Sequence, residues 1–121
     1  MELQIGQRIK VPFLPAPAEV KKFEARQGYF RLEVLLQDGS ADGAFADICY
    51  IEVKARAQSG AISLSANEWK KAWLFGEKFW LYIVTVAGTD SPQLHWLQNP
   101  AAHFRLDEDI FATGFIIPEE K

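Results

Sequence analysis

Glu52 and Lys54, in the stretch Cys49-Tyr50-Ile51-Glu52-Val53-Lys54, are the residues whose types and spacing point most directly to chemistry. Side chains two apart on a strand share a face. An extended stretch would therefore send Tyr50, Glu52 and Lys54 one way and Cys49, Ile51 and Val53 the other. A carboxylate beside an ammonium at a strand end can serve metal-dependent phosphodiester cleavage. The carboxylate holds a divalent ion, and the lysine orients water or stabilises developing negative charge. The same spacing also fits an ordinary solvated ion pair, and Glu-x-Lys alone does not choose between the two.

The other chemistry-bearing residues are less organised. His95 and His103 have no second His or Cys at metal-ligand spacing, and a strand and a loop position are their expected roles. Cys49 falls on the apolar side of its stretch without an activating histidine, and reads as a small core residue. Trp69, Trp73, Trp80 and Trp96 are expected as core anchors rather than base-stacking platforms, two of them on a buried helix face and one in a central strand. No Ser-His-Asp set has supporting context. The P-loop pattern G-x-x-x-x-G-K-[ST] is missing, so this polypeptide carries no ATP-driven motor.

The elements that must position these residues can be read from pattern. In the first segment Ile9, Val11 and Phe13 alternate with polar or small neighbours, while Pro12, Pro15 and Pro17 forbid a helix and break it into short or edge strands. After a turn at Gln27-Gly28, residues 29–37 form a strand, and residues 38–43 have turn composition. A second strand runs from about Phe45 to Ala55. A turn at Gln58-Ser59-Gly60 then precedes a short strand at residues 62–64. Ser65-Ala-Asn-Glu68 is a capping box that starts a helix over about 66–75, stopped by Gly76. Trp69, Ala72 and Trp73 are expected on its buried face. Residues 79–87 are apolar on both alternating sets and read as a central strand covered on both faces. Strands at 93–98, closed by Asn99-Pro100, and within 110–117 complete an α+β domain whose sheet is mostly antiparallel with one well-defined helix.

Composition narrows the class. A chain of 121 residues fits a single domain, and 49% apolar content is too high for disorder. The apolar run at 79–87 is far short of the roughly 20 residues a membrane helix needs, so no membrane association is expected. The start, MELQIGQRIK, does not read as a signal peptide. The single cysteine rules out an internal disulfide framework and suits a reducing cytoplasm. A net charge of −3 argues against strong autonomous nucleic-acid binding. Residues 8–31 nevertheless carry six cations against two acids, and residues 90–121 six acids against two cations. These are two solvated faces, or ends that attract each other within or between chains.

Ile51-Glu-Val-Lys54, Ser63-Leu-Ser-x-Asn-Glu-Trp69, Phe79-Trp-Leu-Tyr-Ile-Val84 and Asn99-Pro100 follow one another in an order and spacing that resembles the NO VEIN C-terminal family. That family is similar to the PD-(D/E)xK nuclease-like fold and is found at the rear of large helicase-type proteins. The resemblance covers residues 48–100. It implies that the sheet corresponds to the later half of a nuclease-like fold, that Glu52 and Lys54 are the E-x-K pair, and that Glu52 would be a metal ligand. It also implies a second acid from the preceding strand and a third from an N-terminal helix, and no such helix is readable before residue 44. Asp38, Asp42 and Asp47 lie upstream as candidate second ligands. The first two sit in a turn, and Asp47 falls opposite Glu52 if its strand is continuous.

Residues 3–37, with Gly6, Pro12, Val20 and Tyr29-Phe-Arg-Leu-Glu-Val34, look like the β-rich front segment of the same helicase-like proteins. One domain with a β-rich segment 1–44 and a family-like segment 45–121 is the resulting organisation, with a seam near 39–45. Three functions remain open. The first is a non-catalytic remnant or accessory module of a DNA-processing system, with partner proteins from that system. The second is a small nuclease using Mg2+. The third is a protein–protein interaction module. One helix is too little to cover residues 79–87 on both faces, so a homodimer through the N-terminal segment or the 110–117 tail is also expected.

Overall fold

The computed structural model describes residues 3–26, 29–55, 62–85, 93–103 and 115–117. The turns expected at 27–28 and 58–60, and residues 110–114 of the tail, lie outside them.

The prolines confine the first strand, β1, to Arg8–Ile9, where it pairs with the start of β2, Ala18–Arg26. β3, Tyr29–Gln37, and β4, Phe45–Ala55, continue an antiparallel meander. Gly43 serves the connection between them at a φ of 67°, and a Cβ there would stand 2.8 Å from Gln37 Nε2. A short strand β5, Ile62–Leu64, leads into helix α1, Ala66–Phe75, which a 3-10 turn at Gly76–Lys78 follows. The chain then enters β6, Phe79–Thr85, and β7, Gln93–Gln98, before the four-residue helix α2, Pro100–His103.

The main sheet has the order β1-β2-β3-β4-β6-β7. It is mostly antiparallel, with one exception that pattern reading does not supply: β6 pairs with β4 in parallel. A parallel pair needs a crossover, and β5 with α1 provides it. The tail strand β8, Phe115–Ile117, joins β5 in a separate two-stranded sheet. No helix among the described residues is long and apolar enough to cross a membrane.

Both faces of the sheet are covered within the chain. On one, Tyr50, Phe79 and Leu81 pack under Leu64, Trp69 and Ala72. On the other, Val34, Cys49, Ile51, Trp80 and Tyr82 form a second core, against which Leu3, Ile9, Val11, Leu14 and Ala16 pack. The expectation that β6 lacks cover on one side is therefore corrected, because the proline-rich segment supplies in irregular backbone what a second helix would.

The helix bounds and its capping box match expectation. The Ser65 side chain accepts from the Glu68 N–H at 3.2 Å, and the Glu68 carboxylate accepts from the Ser65 N–H at 2.8 Å. Gly76 closes the last turn at a φ of 53°, its N–H bonded to the Ala72 carbonyl. The expected buried face is wrong in one member, since Trp73 is 65% exposed. Glu68, Trp69 and Ala72 are the buried residues instead, and at 100° per residue Trp73 stands roughly 100° away from their centre. Replacing Ser65 with alanine should cost about 1 kcal/mol, read as a lower urea midpoint at unchanged slope.

Candidate functional site

The alternation along β4 holds. Tyr50, Glu52 and Lys54 face α1, and Cys49, Ile51 and Val53 face the N-terminal segment. An ordinary solvated pair is nevertheless excluded, because Glu52 is 0% exposed. Glu52 and Lys54 do not pair with each other either. Each is taken by a residue from another element.

Arg31 of β3 is the Cα partner of Glu52 across the β3–β4 ladder. Its guanidinium directs Nε to Glu52 at 3.0 and 3.4 Å, Nη1 to Glu24 of β2 at 3.2 Å, and Nη2 to Glu68 of α1 at 3.0 Å. Lys54 Nζ donates to both oxygens of Glu68, at 2.7 and 3.0 Å. The Tyr50 hydroxyl donates to Glu52 at 3.2 Å. The ring of Tyr29 lies against the Arg31 guanidinium at 4.3 Å and the Lys54 ammonium at 5.3 Å. Among the described residues no buried side-chain nitrogen or oxygen lacks a partner. Three carboxylates and two cations thus form one network that ties three strands to the helix start.

Its members differ in acidity. Burial, then the neighbouring Glu68 charge, pushes the Glu52 carboxyl up to about 7, against the opposing pull of Arg31 and Lys54. Burial alone would also raise Glu68. The bonds from Lys54, the Ser65 N–H and Arg31 outweigh it and hold that carboxyl down at about 2. The Arg31 guanidinium is desolvated, yet its bonds to Glu68 and Glu52 strengthen its hold on the proton. Burial and Glu52 together push the Tyr50 phenol upward.

The upstream aspartates sit elsewhere. Asp47 lies on the face opposite Glu52, its carboxylate accepting from Lys78 at 2.6 Å. Asp38 and Asp42 belong to the β3–β4 connection, where both bond to Ser40. That connection begins after Gln37, six residues along β3 from Arg31, which is roughly 20 Å of strand. The carboxylates that do join Glu52 on the guanidinium are Glu24 and Glu68, and sequence reasoning assigned Glu68 only to helix capping. A signal for its second role exists: its helix starts two residues after a strand and must cover the face that carries Lys54. Among the described residues no cluster of three or more His, Cys, Asp or Glu is arranged to hold a metal ion. The place between Glu24, Glu52 and Glu68 is filled by a guanidinium.

The remaining candidates have structural positions. Cys49 is buried, its thiol donating to the Lys78 carbonyl, and burial followed by Asp47 pushes its pKa up to about 12. His95 is paired with the Thr85 hydroxyl at 3.3 Å on β6. Trp69 and Trp80 are core residues as expected, while Trp73 and Trp96 are exposed.

A family model described as "Protein NO VEIN, C-terminal" matches residues 34–97. The match begins within β3, runs through the connection to β4, and takes in Glu52, Lys54 and Glu68, while Arg31 and Glu24 precede it. No curated protein and no solved structure matches the chain.

Proposed function

Because the chain belongs to the NO VEIN C-terminal family, we propose that it is a non-catalytic member, an accessory module of a DNA-processing system in which the E-x-K pair has a structural role. The observation that carries this reading is the Arg31 guanidinium seated among Glu24, Glu52 and Glu68. A metal-dependent nuclease needs convergent carboxylate oxygens free to hold a divalent ion. Here a side-chain cation occupies the place of that ion, and the lysine that would act on water is bound to Glu68. The cleft beside the guanidinium, lined by Lys22, Glu33 and Lys71 among others, has a volume of about 80 Å³. That is small against the roughly 300 Å³ at which ligand pockets begin.

The nuclease alternative keeps one observation in its favour. Glu68 supplies a second carboxylate on the same guanidinium as Glu52, so Mg2+ could enter if Arg31 swung out. Incubation of the purified protein with single- and double-stranded DNA and RNA, in millimolar Mg2+ or Mn2+, should give no cleavage above buffer. Cleavage that disappears in both Glu52→Gln and Lys54→Ala proteins would establish the nuclease instead.

A further inference from the structure

The two edges of the main sheet are built differently. β1 is two residues long, starts at Arg8 and is followed closely by Lys10 and Pro12, all features that discourage strand addition. β7 is six residues long, contains no Asp, Glu, Lys, Arg or Pro, and leaves Leu94 40% and Trp96 39% exposed. The Asn99 N–H donates to the Phe79 carbonyl at 2.9 Å, in register with the β6–β7 ladder. Hydrogen-bonded pairs alternate with non-bonded ones along an antiparallel ladder. Gln93, His95 and Leu97 therefore turn their main-chain groups toward β6, and Leu94, Trp96 and Gln98 turn theirs outward. Among the described residues no strand takes these up.

An apolar step borders that edge. Trp96 stands against Trp80, ring centroids 5.4 Å apart, and Phe13 stacks on Trp96 at 5.3 Å while remaining 55% exposed. Phe13 sits at a φ of 69°, uncommon for a bulky residue. The Tyr82 hydroxyl, donating to the Pro12 carbonyl, ties down the turn that presents it.

We propose that the outer edge of β7 pairs antiparallel with β7 of a second copy, about a two-fold axis through His95. Directly opposed residues of an antiparallel pair share a face, so a two-fold axis normal to the sheet must pass through a residue rather than between two. With the axis at His95, Leu94 of one chain opposes Trp96 of the other, and these are residues whose N–H and C=O point outward. Donors meet acceptors, apolar meets apolar, and Phe13 closes over the joint. A second copy fits better than a foreign strand because the patch complements itself, as a two-fold interface requires. A row of Lys or Glu here would repel its own image, and β7 has none. An interface through the N-terminal segment is disfavoured, since that segment already covers the chain's own sheet.

Sedimentation across the micromolar range should give twice the 13.7 kDa chain mass, falling toward the monomer on dilution. Leu94→Lys, at an exposed position, should keep the circular dichroism spectrum and weaken association by about tenfold or more. Hydrogen exchange should show the Leu94 and Trp96 amides protected in the dimer and released on dilution. A monomer at every concentration overturns the proposal. So does a dimer that Leu94→Lys leaves unchanged, or one in which those two amides exchange freely.

Discussion

Replacing Arg31 with alanine should cost the fold about 3–5 kcal/mol at pH 8, the usual penalty for leaving buried charges without their partner. It should also hand the vacated place to a divalent cation. Glu52 and Glu68 are both buried, and Arg31 is the one cation bonded to both among the described residues. Removing it leaves the buried Glu52 and Glu68 sharing the vacated place, with Lys54 still bound to Glu68 and Arg26 to Glu24. Hard divalent ions take such oxygen ligands. Millimolar Mn2+ or Mg2+ should therefore raise the melting temperature of the Arg31→Ala protein, since an ion that binds only the folded state stabilises it by mass action. The native protein should show no such rise, and a double variant that adds Glu52→Gln should lose it. Equal responses in all three proteins would mean that the guanidinium does not stand in the place of an ion.

The native protein should be most stable near pH 5 and should weaken toward neutrality, and Glu52→Gln should remove that weakening. The Glu52 carboxyl lies at about 7 in the fold, raised first by burial and then by Glu68, and near 4.5 in an unfolded chain. The folded state then binds the proton more tightly. Stability present below 4.5 is lost as pH rises through 7, on the order of 3 kcal/mol in all. Glu68 acts in the opposite sense. Burial would raise it, but Lys54, Ser65 and Arg31 hold it at about 2, so its contribution is complete above 4.5 and lost as pH falls toward 2. Urea titrations of the native and Glu52→Gln proteins from pH 4 to 9 isolate the first effect as a difference. The glutamine can still accept from Arg31 and Tyr50, so the variant should equal or exceed the native protein at pH 8. Parallel curves across the range would show that Glu52 carries no buried proton near neutrality.

What was legible in the sequence was local. The capping box fixed the start of α1 because its two bonds lie within four residues, and alternation placed Cys49 and Glu52 on opposite faces because a strand has a fixed period. What escaped depended on distant residues. Arg31 meets Glu52 across 21 positions and Glu68 across 37, and no spacing rule joins a β3 arginine to a helix cap. The parallel pairing of β4 with β6 was hidden for the same reason, since it exists only once the crossover is in place. Trp73 was misplaced because an amphipathic reading puts tryptophan inside and glutamate outside. Here the bonds to Glu68 set the helix rotation, and the tryptophan is turned to solvent.

The double employment of Glu68 bears on how such a domain can change over generations. One carboxylate caps α1, neutralises Lys54 and shares Arg31 with Glu52. Neither Glu68 nor the two cations bound to it can be exchanged alone without stranding a buried charge, so changes at these three positions must arrive in compensating combinations. Purifying selection on folding would then preserve the lysine of a Glu-x-Lys signature, with glutamate or its amide before it, even in a lineage that cleaves nothing. The persistence of such a signature is a record of descent and of packing, and a census of nucleases compiled from it would count architectural survivors among the working enzymes.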